Sequence, residues 1–109
     1  MSRIAHATPA QELVQSCRIA LKSLSGSGSN VSIAAAGVEC WNYMEAVQDM
    51  IVLADESGRH LLGVCAPEDG KIDDLLRVFT RYAAAHPQEL GERASVVILE
   101  ALGASYPCK

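Results

Sequence analysis

The chain has 109 residues, half of them hydrophobic, with few aromatics and a formal net charge of −4. That length bounds it to one domain with enough apolar residues for a packed core. Its richness in Ala, Leu and Val favours helices over a β-sandwich. The mild acidity argues against a nucleic-acid binder, which normally carries a basic face, and leaves room for a basic protein partner.

In chain order, Met1-Ser2-Arg3-Ile4-Ala5-His6 lacks the apolar centre of a secretory signal, and residues 1–7 are expected to be flexible. Thr8-Pro9-Ala10-Gln11 predicts a helix start, with Thr8 as N-cap, Pro9 at the first helical position and Gln11 completing a capping box. Leu13, Cys17, Ala20, Leu21 and Leu24 then share one helical face. Ser25-Gly26-Ser27-Gly28-Ser29-Asn30 ends this helix and is expected to be the most flexible stretch of the chain.

A second helix is predicted from about Ser32 to Ala54, with a buried stripe of Val38, Trp41, Met44, Val47 or Gln48, and Ile51. Of Trp41 and Tyr43, one is expected in the core and the other at its rim. The polar segment Asp55-Glu56-Ser57-Gly58-Arg59-His60 follows. The short apolar run Leu61-Leu62-Gly63-Val64 reads as a brief extended segment.

Pro67 and Gly70 punctuate the entry to a third helix. Its stripe of Ile72, Leu75, Leu76, Phe79, Tyr82 and Ala83 is the cleanest in the sequence. Asp69, Asp73 and Asp74 place negative charge at its start, where the helix dipole favours it. His86-Pro87 stops this helix and predicts the next, with Pro87 at its first position and His86 as a turn or capping residue. Leu90, Ala94, Val97, Ile98, Ala101 and Leu102 form the last stripe, and Gly103 is the predicted C-cap. No run approaches the roughly 20 apolar residues that cross a bilayer.

Four cysteines punctuate this plan, at positions 17, 40, 65 and 108. Cys17 and Cys40 lie either side of the Ser/Gly stretch, and Cys65 and Cys108 lie nearly symmetrically about His86-Pro87. If each midpoint is the turn of a helical hairpin, each pair meets across antiparallel helices. Four cysteines allow three pairings in principle. Two disulfides in so small a chain imply an oxidising compartment. The absent signal then leaves two explanations: a mature form in such a compartment, which is favoured, or reduced cysteines in the cytosol. In the chain-entropy model each bond would contribute about 3–4 kcal/mol.

The motifs of reactive chemistry are missing. The sequence contains no CxxC, HxxxH or HExxH, so no metal is expected. A thiol enzyme would need a free cysteine beside a positioned base such as His60 or His86. Two disulfides would leave none. No GxSxG and no phosphate-binding Gly-rich loop is present. The Asp69, Asp73 and Asp74 group lacks the spacing of a calcium loop and reads as a solvated helix start. The Asp55–His60 loop is longer and more charged than a hairpin requires. From its residues alone it is equally a surface connection or a partner-binding loop.

A resemblance bears on that choice. Cys40-Trp41-Asn42-Tyr43-Met44-Glu45-Ala46-Val47-Gln48-Asp49 resembles the C-x-x-Y-x-x-G-x-x-D helix of the Tai-type amidase immunity proteins of type VI secretion systems. Val64-Cys65-Ala66-Pro67, Tyr82, His86-Pro87, Ala101-Leu102 and Tyr106-Pro107-Cys108 follow that family's later pattern in order. The match covers roughly residues 38–108, and Ala46 stands where the family usually has Gly, a residue that permits close helix packing. The resemblance implies a small helical periplasmic protein without cofactor or enzymatic activity. It would bind a peptidoglycan amidase effector and block its Cys-His cleft, often as a homodimer with a protruding loop.

The expectation is therefore one all-α domain, residues 1–109, with four main helices in two antiparallel hairpins. Cys17–Cys40 and Cys65–Cys108 would be its disulfides. The effector-binding residues would be Asp55, Glu56, Ser57, Gly58, Arg59 and His60, with Leu61 and Leu62 as apolar anchors. A small periplasmic chaperone of the acid-stress type is the alternative, since such proteins are also short, helical and disulfide-linked.

Overall fold

The computed structural model describes residues 7–24, 33–67 and 69–109, and four α-helices carry the fold: α1 (Ala10–Leu24), α2 (Val38–Ile51), α3 (Ile72–Ala85) and α4 (Ala94–Ser105). Single 3-10 turns precede α2 (Ala35–Gly37) and follow α3 (Pro87–Glu89). Among the described residues β-pairing is limited to isolated bridges. The expected flexibility of residues 1–6 and of the Ser25–Asn30 stretch lies outside the described residues.

The predicted stripes build the core. Leu13, Cys17 and Ala20 of α1 meet Cys40, Met44 and Ile51 of α2, Leu75, Leu76, Phe79 and Ala83 of α3, and Val97, Ile98 and Leu102 of α4. Phe79 is the largest fully buried side chain. Trp41 and Tyr43 both pack at the rim of this core, and Val38 is an exposed residue rather than a stripe member.

Both disulfides are those the hairpin argument gives. Cys17–Cys40 clasps α1 to α2 at a Cα–Cα distance of 5.0 Å. Cys65–Cys108 joins the segment before α3 to the segment after α4 at 5.1 Å. Beside the first bond, the buried Ser16 hydroxyl donates to the Ala36 carbonyl at 2.7 Å and accepts from the Cys40 N–H at 3.0 Å. Ser16 thus supplies from α1 the cap that α2 lacks locally, since one of the early α2 donors would otherwise be orphaned.

The α1–α2 crossing is close because of Gly37. A Cβ there would lie 2.8 Å from the Ala20 nitrogen and 2.9 Å from its Cα. Ala46, standing at the position of the family glycine, is exposed and touches no such crossing.

Several helix ends differ from the sequence reading, each for a tertiary reason. α1 starts at Ala10, one position after the predicted Pro9, and its first amides are not held by a capping box. The Ala10 N–H donates to the Glu92 carbonyl (2.7 Å) and the Gln11 N–H to the Leu90 carbonyl (2.9 Å). The same diversion explains why no helix runs on from Pro87. Residues 90–93 turn away to meet α1, with Pro9 bridging Arg93 and the Ala94 N–H bonded to the Thr8 carbonyl, and α4 starts only at Ala94.

α2 begins at Val38, well after the predicted Ser32, because Ala34 is extended (ψ 146°) and its N–H is held by the Ser23 hydroxyl. It stops at Ile51, short of Ala54, where Leu53 leaves the helix to pair with Leu61. Gly103 is not a C-cap. It lies inside α4, which Tyr106 ends by donating to the Leu102 carbonyl. The α3 start is as read: Asp73 and Asp74 lie in its first turn, and Asp74 accepts from the Lys71 N–H at 3.3 Å. His86 is its C-cap residue, with Nδ1 2.8 Å from the Tyr82 carbonyl.

Candidate functional site: an exposed ribbon between the second and third helices

Between α2 and α3 the chain makes a miniature antiparallel ribbon. Ala54 bridges His60, the Leu61 N–H donates to the Leu53 carbonyl at 3.0 Å, and the Asp55 N–H donates to the Arg59 carbonyl at 2.9 Å. This register pairs Leu53 with Leu61 and Asp55 with Arg59. Side chains alternate across a ribbon, so these two pairs share one face and His60 belongs to the other.

The tip is braced by Asp55. One carboxylate oxygen accepts from the Ser57 N–H (2.9 Å), the Ser57 hydroxyl (2.7 Å) and the Arg59 N–H (3.0 Å). The Ser57 hydroxyl, then the Arg59 N–H, hold its pKa below the ordinary aspartate value, since both bond to the charged form. Its second oxygen lies 3.5 Å from the Arg59 guanidinium. The Gly58 N–H donates to the Asp55 carbonyl at 2.9 Å, and Gly58 has φ of 86°, a conformation that side-chain-bearing residues rarely adopt. The tip is therefore braced by bonds within residues 55–59.

Its surface is unusual in what it exposes. Every residue from Val52 to Arg59 is exposed. Leu53 and Leu61 are 50% and 60% exposed, and Met50 and Val52 at the foot of the ribbon are 52% and 63% exposed. Isolated exposed apolar residues need no explanation, but a cluster on one projection makes it the candidate contact surface.

The eight residues nominated from sequence divide cleanly. Asp55, Ser57, Gly58 and Arg59 build the tip, Glu56 is exposed upon it, and Leu61 lies on its apolar face. His60 turns inward. It is half-buried, with Nδ1 3.2 Å from the Ile51 carbonyl, and it lines a cleft of about 490 Å³ with Ile51, Val52, Pro67, Lys71 and Tyr106. Leu62 is half-buried and packs against the core. Leu53, Met50 and Val52 were missed, because a helix carried on to Ala54 hides them in a continuous apolar run. The signal available was the turn chemistry of Asp55-Glu56-Ser57-Gly58, which centres a hairpin on those residues.

All four cysteines are in disulfides, so none is a thiol nucleophile for His60 or His86. Among the described residues no helix is long and apolar enough to cross a membrane. In comparison with known proteins, the family model of the Rap1a immunity proteins matches residues 9–108. No curated protein and no solved structure matches the chain.

Proposed function

This chain belongs to the Rap1a immunity protein family, a family of type VI secretion immunity proteins that act by binding a cognate effector, and we propose that its effector is a peptidoglycan amidase whose active-site cleft the ribbon enters. The observation that carries this reading is the self-braced projection with an exposed Leu53–Leu61 pair. A projection can enter a cleft that a flat helix face cannot. Because the tip is ordered by its own hydrogen bonds, little ordering entropy is lost on insertion. Leu53 and Leu61 are the apolar anchors, and Glu56 and the Asp55–Arg59 pair supply polar contacts at the rim.

The amidase class is supported by the likeness of residues 38–108 to the Tai-type immunity proteins. A periplasmic location is supported by the two disulfides, which form and persist in oxidising compartments. Self-association of the free protein into a homodimer belongs to the same proposal. The acid-stress chaperone alternative is not favoured, since the match over residues 9–108 is to an immunity family.

The test uses the effector pulled down with the wild-type protein. Deleting Glu56–Arg59, or introducing Leu53→Asp with Leu61→Asp, should weaken inhibition at least tenfold. The thermal midpoint should stay within about 3 °C, because these exposed positions contribute little to the core. Undiminished inhibition by both variants would move the binding surface to a helix face. An effector with no activity on peptidoglycan stem peptides would remove the amidase assignment.

A further inference from the structure

The two disulfides differ in access and in what they hold. Cys17 and Cys40 are each 0% exposed, sealed between α1 and α2. Cys65 is half-buried and Cys108 is exposed, beyond the end of α4. Thiol–disulfide exchange needs a thiolate to reach a sulfur, so the second bond is open to exchange in the folded protein and the first is not.

Cys65 also lies at a mechanical junction. The connection between α2 and α3 runs from residue 52 to 71. At its near end the ribbon is tied to α2 by His60 on the Ile51 carbonyl. At its far end Gln48 Nε2 donates to the Gly70 carbonyl at 3.3 Å. Between them the chain is anchored by the buried Val64, which bridges Pro107, by the Cys65 N–H on the Tyr106 carbonyl (2.8 Å), and by the Cys65–Cys108 bond itself. All three anchors engage the same C-terminal segment, 106–108. Only the disulfide fixes that segment covalently.

We propose that Cys65–Cys108 is a reducible pin: a dithiol reductant opens it in the folded protein, frees the C-terminal segment, loosens the ribbon's foot and switches effector binding off. The binding consequence rests on the ribbon being the effector-binding element. A reductant thiolate attacks the sulfur of Cys108, an exposed residue; the S–S bond breaks, and the electron pair leaves on Cys65, which takes a proton from water. The reductant's second thiol then displaces Cys108 as a thiol. Two electrons pass to the protein, and the dithiol becomes a cyclic disulfide. The helices remain clasped by Cys17–Cys40 throughout.

The experiment titrates the full chain with dithiothreitol, traps thiols by alkylation and maps them by mass spectrometry, with circular dichroism and amide hydrogen exchange recorded at each step. The expected result is a window in which Cys65 and Cys108 are alkylated, Cys17–Cys40 is intact and helical content is retained. In that window the amides of 61–65, at the foot of the ribbon beside the pin, exchange at least tenfold faster, and inhibition of the pulled-down effector falls at least tenfold and returns on reoxidation. Concurrent reduction of both bonds, or unchanged exchange in 61–65 after selective reduction, overturns the pin. A Cys65→Ser/Cys108→Ser variant that folds should match the singly reduced protein in exchange, and wild-type exchange rates in it also overturn the pin. Faster exchange with inhibition intact overturns the switch and counts against the ribbon as the binding element. The ribbon deletion reads that element independently of any reductant.

Discussion

Gly37→Ala tests the close crossing of α1 and α2. Gly37 has φ of −96° and ψ of −9°, which any residue adopts, so backbone strain does not enter. The cost is steric. The new Cβ would lie 2.8 and 2.9 Å from the Ala20 nitrogen and Cα and 3.1 Å from its Cβ. Two of these are backbone atoms inside α1, which cannot rotate away, and the Cys17–Cys40 bond holds the helices together so that they cannot separate freely. Overpacking of this kind costs about 1–3 kcal/mol. The narrower unfolded ensemble of Ala returns about 0.4–1 kcal/mol, leaving a net loss of about 1–2 kcal/mol. At about 4–8 °C per kcal/mol for a domain near this size, the thermal midpoint should fall by about 5–15 °C. Gly91→Ala is the matched control: nothing lies within 4 Å of its added Cβ, so only the gain of about 0.4–1 kcal/mol from the narrower unfolded ensemble should remain. Calorimetry or circular dichroism melts of the oxidised proteins read both. Equal midpoints for the two variants would refute the claim that the α1–α2 crossing depends on an absent side chain.

Two further outcomes follow from the same structure. Ser16→Ala removes both the bond to the Ala36 carbonyl and the partner of the buried Cys40 N–H, so chemical denaturation should show a loss of about 2 kcal/mol, and a loss below about 0.5 kcal/mol would contradict the capping role. Glu100 bears on pH dependence: its hydrogen bond with Glu89, then desolvation, then the charges of Glu89 and Glu92, raise its pKa above the ordinary glutamate value. The folded state therefore holds this proton more tightly than the unfolded state, and the penalty is present above the raised pKa and relieved as pH falls through it. Glu100→Gln should melt higher than the wild type at pH 7, with the gap closing as pH falls to the ordinary glutamate value. A gap that stays constant over that range would show that ionisation of Glu100 is not its source.

What the sequence disclosed was whatever repeats with a local period. The α3 stripe places Leu75, Leu76, Phe79 and Ala83 in the core as its spacing requires, and the cysteine positions identify both disulfides through the hairpin turns between them. What it withheld depended on partners far along the chain. Thr8-Pro9-Ala10-Gln11 has the letters of a capping box, yet carbonyls near residue 91 perform the capping. Val52-Leu53-Ala54 continues the apolar run of α2, yet the Asp55-centred turn pulls it into a ribbon. The exposed projection therefore falls on the segment that the sequence marks out, while the exposed Leu53 on its first strand was read as helix. Leu62, adjacent to Leu61, was taken for an anchor because alternation across a ribbon is invisible until the ribbon is seen.

The tie between the start of α1 and residues 90–94 sets an order of assembly. Ala10 and Gln11 find their acceptors only after α3 and the turn beyond it exist. On a chain made or exported from its N-terminus, the first helix to emerge is thus among the last to be completed. Its opening turn stays frayed until the closing third of the polypeptide arrives. The tie thereby couples the two hairpins through backbone bonds. A fragment ending after α2 would keep the Cys17–Cys40 clasp and still lack what finishes its first helix.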